Sequence, residues 1–435
     1  MRQRHIYKGI PKEKLINALL NISSNIDYIS VLISNCGYNK RNFPEDYISY
    51  DIIAGIGIID VLSANENSFN QLKNFHSKRK DWLFGYLSYD LKNENEALSS
   101  NNTDNFNTHN LFFFIPEYVV LFRDNILEIQ TYHCREKTNR FVQEFNFSEL
   151  PLYKQEMPLL RREDKQSYIK KIARIKHHIQ QGDIYEMNYC QEFYASGVQL
   201  PLESVFFELN QRMQTPFSSF LKLKDKYILS ASPERFLKKK SNHVLSQPIK
   251  GTRKRGNTKK EDVDLKNELK RSAKDVAENI MITDLVRNDL SITAKNKSVK
   301  VEELCEVYTF NKVHQMITSI VSEVDENVNF VDVLKSAFPM GSMTGAPKIR
   351  AMEFIENFED FKRGIFSGSV GYITPQADFD FNVVIRTILY NLANNYLSIS
   401  VGGAITIKSD AREEYNECLI KSQPLFDVLN FKLDD

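Results

Sequence analysis

The spacing of apolar residues changes several times along the chain, and each change marks an element. Residues 53–59 (IAGIGII) and 82–90 (WLFGYLSYD) are short apolar runs around glycines and predict strands. Residues 111–122 (LFFFIPEYVVLF) and 126–132 (ILEIQTY) predict a β-hairpin that turns at Arg123-Asp124-Asn125. Between these pairs, residues 93–109 (NENEALSSNNTDNFNTH) are polar and Asn-rich and predict a solvated loop. Charge and proline cluster from Pro151 to Asp164, a soft boundary. Beyond it the period becomes helical: Ile169, Ile172, Ile175 and Ile179 recur at three- and four-residue steps, and Gly182 suits a C-cap. His177-His178 fall on this helix and suit its exposed face. Ser272 followed by Asp275 resembles a capping box opening a helix to about Leu285, with Ala273, Val276, Ala277 and Ile280 as its apolar stripe. Asp410 caps a further helix near the C-terminus. Mixed strands and helices of this kind predict an α/β or α+β fold with mostly antiparallel sheet.

Composition narrows the class. The 435 residues carry 57 basic and 56 acidic side chains, a formal charge of +1, which argues against a polyanion-coating protein. A content of 42% hydrophobic residues fits a globular chain. Cys36, Cys134, Cys190, Cys305 and Cys418 are scattered and odd in number, as expected of reduced thiols rather than a disulfide scaffold or zinc module. The basic N-terminus has no apolar core behind it, so no signal peptide is expected. The apolar stretch from Ile52 to Leu62 is about half a membrane span and contains Asp60. The expectation is a soluble cytoplasmic enzyme with neither nucleic acid nor membrane as partner.

Candidate chemistry concentrates in the second half, where nine of the 16 glycines lie between Gly251 and Gly403. Glycines in short clusters beside charged residues point to backbone that approaches a ligand, although each cluster alone also suits a turn. Asp275 and Glu278, three apart, share a helix face, and so do Glu414, Glu417 and Lys421. Two carboxylates from each helix can hold Mg²⁺, and the same spacing also describes a solvated charged face. Residues 248–256 (PIKGTRKRG) form a basic loop suited to an anion or to simple exposure. Lys250 stands apart because it lies between an apolar strand end and a glycine; partial desolvation there should lower its pKa and free an amine as base or nucleophile. Neither a P-loop, a complete dinucleotide fingerprint, G-x-S-x-G nor H-E-x-x-H is present.

Eight stretches then carry a resemblance: GDIYEMNYCQEF (182–193), SPERFL (232–237), PIKGTRKRG (248–256), AENIMITDLVRNDL (277–290), FPMGSMTGAPKIRAMEFI (338–355), GIFSGSVGYI (364–373), DFNVVIRT (380–387) and EEYNECLIK (413–421). Together they resemble the chorismate-utilising enzymes, over roughly residues 165–425. The resemblance implies a large chorismate-binding fold, two packed and mostly antiparallel β-sheets flanked by helices. It divides the chain into an N-terminal region, 1–155, similar to that part of anthranilate synthase component I, and a catalytic domain, 163–428.

Glu278 and Glu417 match the family's Mg²⁺ ligands, with Asp275 and Glu414 as accompanying acids. Arg386 and Lys421 match positions that hold the substrate carboxylates. Tyr372 and Gly402-Gly403 match ring- and carboxylate-binding positions, and Gly251, Thr252 and Ser342 fall in matching substrate-binding stretches. Lys250 selects among members, because anthranilate, isochorismate and salicylate synthases generally have alanine there, whereas one large group of aminodeoxychorismate synthases has lysine. The resemblance thus implies that Lys250 attacks C2 of chorismate and that ammonia then adds at C4, yielding 4-amino-4-deoxychorismate on the way to p-aminobenzoate and folate. Ammonia would come from a glutamine amidotransferase subunit, since no glutaminase signature is found in this chain. Two positions depart from the pattern: Gln315, with His314 one place earlier, where anthranilate synthases have histidine, and Glu186, where glutamine or a lysine base is usual. The rival expectations are anthranilate synthase component I and, from a different class, a non-catalytic anion- or RNA-binding protein using the basic loop.

Overall fold

The structure, a computed structural model, describes residues 1–35 and 48–432. Cys36 lies outside them. The described strands form two sheets, one twelve-stranded and one ten-stranded. The first runs Gln3–Lys8, Ile126–Thr131, Tyr118–Arg123, Ile52–Ile56, Tyr28–Ile33, Phe217–Leu223, Lys226–Ser232, Thr387–Asn391, Tyr396–Ile405, Glu186–Ser196, Gly345–Ala346, with Leu160–Arg161 beside Glu186–Ser196. The second runs Ile249–Lys254, Val313–Glu323, His243–Gln247, Arg235–Lys240, Phe379–Asn382, Ser369–Ile373, Leu83–Leu87, Leu111–Ile115, Asp60–Ala64, with Lys300–Thr309 also on Val313–Glu323. All these pairings are antiparallel. The strands of residues 1–155 and those beyond 163 are neighbours in both sheets: Tyr28–Ile33 pairs with Phe217–Leu223, and Leu83–Leu87 with Ser369–Ile373.

Strand alternation builds two cores, one on each face of the larger sheet. Ile52, Ala54 and Ile56 face the helices Lys12–Ser23, Lys165–Gln181, Leu202–Met213, Lys348–Phe358 and Ala411–Val428, whereas Ile53 faces the second sheet and packs with Phe84 and Phe113. This is why the strand is apolar throughout instead of alternating. The hairpin turn lies at Asp124 and Asn125, both with φ near +55° as a two-residue turn requires (52° and 59°). The apolar run before it is split by Pro116, with Leu111–Ile115 in the second sheet and Tyr118–Arg123 in the first. Residues 93–109 differ from a bare solvated loop. Phe106 is buried in the core, Lys362 N–H donates to the Thr103 carbonyl at 3.0 Å, and Asn102 donates to the Glu356 carbonyl at 3.1 Å. A single aromatic anchor and asparagine side chains tie down a segment without apolar periodicity.

The helix Lys165–Gln181 is capped by Asp164 and ends at Gly182 with φ +85°, burying Tyr168, Ile172 and Ile175. His177 is exposed, while His178 pairs with Asp183 at 2.8 Å and packs on Phe354. The helix opened by Ser272 runs from Ala273 to Ser291, a turn and a half beyond the expected end. Its expected apolar stripe is corrected: Ile280 is 42% exposed and Ala273 and Ala277 face solvent, while Glu278, Asn279, Ile282, Thr283, Val286 and Leu290 are buried. Polar residues occupy the inward face because each meets a polar partner there, Asn279 bonding the Met316 carbonyl and Thr318, and Glu278 facing Lys250, and this inverts the ordinary reading of an amphipathic helix. This helix packs on Val313–Glu323, and Ala411–Val428 packs on Tyr396–Ile405. Among the described residues no helix is long and apolar enough to cross a membrane.

Candidate active site

Lys250 is turned inward by an irregularity in its strand. Ile249 is opposite Ile317 and Thr252 opposite Gln315, so Lys250 and Gly251 together oppose Met316 alone, a β-bulge. Gly251 has φ +85°, and a Cβ there would lie 2.9 Å from the Asp275 carboxyl, so only glycine fits. The Lys250 side chain is buried, and its Nζ donates to Glu186 Oε1 at 2.8 Å. Glu186 opens the strand Glu186–Ser196 of the other sheet, so this ion pair joins the two sheets. Glu278 arrives from the helix Ala273–Ser291, and Glu234 from the junction between the strands Lys226–Ser232 and Arg235–Lys240.

One ammonium among three buried carboxyls sets the electrostatics. Burial works against the Lys250 charge, but Glu186, Glu278 and Glu234 outweigh it and raise its pKa above the ordinary lysine value. The expected lowering is therefore corrected: desolvation is present, and the acids facing it reverse its effect. Burial pushes Glu278 up to about 7 against the pull of Lys250, and pushes Glu234 likewise to about 7. Two carboxyls thus sit where they hold or release a proton near neutrality. Glu278 Oε1 and Glu186 Oε2 are buried with no hydrogen-bond partner among the described residues.

A second cluster borders the first. Lys421 Nζ pairs with Glu417 at 2.8 Å and donates to the Gly402 carbonyl at 3.0 Å; Lys274 pairs with the buried Glu414 at 3.0 Å. Lys421 holds the Glu417 carboxyl below the ordinary glutamate value. At Gly402 a Cβ would lie 2.4 Å from Cys190 Sγ, so the adjacent strand comes this close only because the side chain is absent. Arg386 donates to the Lys421 carbonyl and makes no ion pair with a carboxylate among the described residues. Burial draws its guanidinium below the ordinary arginine range, although Glu417 acts in the opposite sense. A desolvated guanidinium with free donors is a receptor for a carboxylate.

The structure therefore brings together Lys250, Gly251, Glu278, Arg386, Gly402, Gly403, Glu414, Glu417 and Lys421. Asp275 is engaged with Arg253 at 3.2 Å and packs on Gly251. Thr252 is exposed opposite Gln315. Ser342 lies in the turn Gly341–Met343, its carbonyl accepting from Asn188 at 3.1 Å and its buried hydroxyl facing the Glu234 carboxyl. Tyr372 is not part of the cluster, a correction to its expected place. Its strand is five positions from that of Lys250 in the sheet order, about 24 Å at one strand spacing each. Its ring packs among Tyr50, Trp82 and Phe84 instead. His314 is buried against Asp262 and Thr309, each at 3.0 Å, and Gln315, on the opposite side of the strand, keeps an unpartnered Oε1. Sequence reasoning missed Glu234 and Lys274 and left Glu186 without a role. The signal for Glu234 was its place after Ser232-Pro233, where a proline ends one strand and leaves an acid between two apolar runs.

Comparison with known proteins gives this geometry a family. The profile of the chorismate binding enzymes matches residues 48–427. The chain belongs to the chorismate-binding enzymes. A probable aminodeoxychorismate synthase of rice is 32% identical over 90% of this chain and 48% of its own length. Aminodeoxychorismate synthase component 1 of Escherichia coli is 39% identical over 59% of this chain and 56% of its own. The chain thus spans about half the length of these curated relatives. Among solved structures, the menaquinone-specific isochorismate synthase of Escherichia coli shares the fold, with a TM-score of 0.77 at 16% identity over 99% of this chain and 94% of that one. In this chorismate-binding enzyme the charged cluster around Lys250 lies where the two sheets meet.

Proposed function

We propose that this chorismate-binding enzyme is an aminodeoxychorismate synthase of the component 1 kind, converting chorismate and ammonia to 4-amino-4-deoxychorismate. The observation that carries the reading is Lys250 itself: a buried amine in the position where lysine marks that branch of the family, facing Glu186, Glu234 and Glu278. Two curated relatives bearing that enzyme name support it.

In the reaction, Arg386 and Lys421 hold the substrate's carboxylates, and Gly402 and Gly403 admit them close to the backbone. The neutral amine of Lys250 forms a bond to C2. The ring's two π pairs each shift one bond toward C4, and the C4–O bond breaks with its electrons. Glu234, whose burial keeps it protonated to about pH 7, donates to the departing oxygen so that water leaves. Ammonia then bonds to C4, the π pairs return, and the Lys250 amine is expelled. Splitting the substitution in two replaces one hard displacement by two easier ones.

Mg²⁺ fits this donor set. Glu278 Oε1 is buried with no hydrogen-bond partner among the described residues, and Glu417, held ionised by Lys421, feels the same Lys250 and Lys274 charges as Glu278. Among the described residues no three acids, histidines or cysteines are grouped to hold a metal ion, so water and substrate oxygens would have to supply the remaining ligands. Glu278 and Glu417 would hold it, with Glu414 adjacent. When bound it would anchor a substrate carboxylate and withdraw charge from the ring. We assign ammonia supply to a glutamine amidotransferase partner and the working compartment to the cytoplasm, where the free thiols Cys134, Cys190, Cys305 and Cys418 stay reduced.

Incubation with chorismate, Mg²⁺ and ammonia tests the reading, with products identified by mass. Aminodeoxychorismate is expected. Anthranilate or isochorismate as the product would reject it, and salt-sensitive RNA binding without turnover would favour the non-catalytic rival.

A further inference from the structure

Lys250 must lose a proton before it can attack, yet its surroundings favour the charged form. The acids that face it come from three elements besides its own strand: Glu186 from the strand Glu186–Ser196, Glu234 from a strand junction, and Glu278 from a helix, with the Glu417–Lys421 pair beyond. Only Glu186 is hydrogen-bonded to Nζ among the described residues, at 2.8 Å. Its backbone is clamped on both sides: Tyr185 N–H donates to the Ala346 carbonyl and Asn188 N–H to the Thr344 carbonyl, each at 2.7 Å. The carboxylate is 1% exposed, and its second oxygen has no partner. A structural ion pair would use both oxygens; this one keeps one in reserve.

We propose that Glu186 is a catalytic residue, the base that takes the Lys250 proton as the amine attacks and returns it when ammonia expels the amine. The proton moves from N⁺–H to Oε1 along the existing hydrogen bond, leaving a neutral amine whose lone pair forms the C2–N bond; on expulsion the amine regains the same proton. No solvent base is needed. The proposal rests on Lys250 being the nucleophile, and it assigns chemistry to a glutamate where related enzymes generally carry glutamine or lysine.

The test follows formation of the Lys250–chorismate adduct by intact mass after rapid mixing with chorismate and Mg²⁺ in the absence of ammonia, from pH 6.5 to 8.5. In the native protein the rate should not rise with pH: it should hold to about pH 7 and fall beyond it only as Glu234 loses the proton it donates, because the Lys250 proton stays within the pair; a rise of about tenfold per pH unit would show that solvent removes it and would overturn the proposal. Glu186→Gln, which keeps the shape and an acceptor oxygen, should slow the adduct about 100-fold at pH 7, and its rate relative to the native protein should climb about tenfold per pH unit. Glu186→Asp should be slower but follow the native pH profile. If Glu186 is only a counter-charge, Glu186→Gln will form adduct as fast as the native protein or faster, because losing the negative charge favours the neutral amine. That result would overturn the proposal while leaving Lys250 as nucleophile. A native protein that makes aminodeoxychorismate without any adduct would instead overturn the Lys250 reading, and this one with it.

Discussion

Of the buried cation–carboxylate pairs among the described residues, two are built to opposite ends. Arg363 and Glu359 are both 1% exposed at the side chain, and the guanidinium is used throughout: Nε and NH2 bond both Glu359 oxygens at 2.8 and 2.6 Å, and NH1 and NH2 reach the Met343 and Asn188 carbonyls at 2.7 and 2.9 Å. Lys250 and Glu186 are as deeply placed, but acceptors outnumber donors around them, and oxygens of Glu186 and Glu278 go without partners. The first pair satisfies itself and locks the Lys348–Phe358 helix end to the strand Glu186–Ser196. The second is left incomplete, and under the proposed function a substrate and a cation would complete it. Depth of burial therefore does not separate structure from chemistry here; the count of unmet hydrogen bonds does.

The comparison breaks most sharply at Lys250. Lys250→Ala should cost at least ~10³-fold in aminodeoxychorismate formation and abolish the covalent adduct while the protein stays folded; full activity would remove the distinction between the pairs. At the other pair, Arg363→Met leaves Glu359 charged, buried and alone, and should destabilise the fold by about 3–5 kcal/mol in denaturant titration. A loss below about 1 kcal/mol would mean that the pair is not structural. Added Mg²⁺ should raise the melting temperature of the native protein, an effect of about 2.7 kcal/mol at a hundredfold excess over Kd, and leave Glu278→Gln unmoved. An equal rise in both would take Glu278 out of the metal site.

The smallest effect is a pH-dependent one. Glu278 is raised from 4.5 to about 7 in the folded protein, so the native state holds its proton where the unfolded chain has lost it. Stability then falls as pH rises from about 4.5 to 7, and the cost is complete above 7. Glu278→Gln in metal-free protein should therefore be more stable than native by about 1–3 kcal/mol at pH 8, with the gain vanishing toward pH 4.5. The opposite slope would show that the carboxyl is satisfied rather than strained.

Local signals were legible where one residue type does a local job. The caps Asp164, Ser272 and Asp410, the αL stop at Gly182 and the turn at Asp124-Asn125 all lie where their side chains or φ angles demand. The candidate site was legible as a set of acids and bases because helical spacing places Glu414, Glu417 and Lys421 on one face. The inward face of the Ala273–Ser291 helix was not, because burying Glu278 and Asn279 makes sense only against Lys250, Met316 and Thr318, which remote strands bring to it. Tyr372 was misplaced for a different reason: it was matched to a ring-binding position by resemblance of sequence, which says little about distance across a ten-stranded sheet.

What the sequence by itself determined is which groups are available and which local elements present them. It also determined the family, since the ordered motifs all lie within residues 48–427, which the family profile matches. The protonation of Lys250 was decided only in three dimensions. Desolvation, the effect visible from an apolar flank and a glycine, lowers a lysine pKa; three carboxyls brought from remote segments raise it further than burial lowers it. Coulomb energy depends on distance through space, and Glu186, 64 residues away in the chain, is 2.8 Å from Nζ.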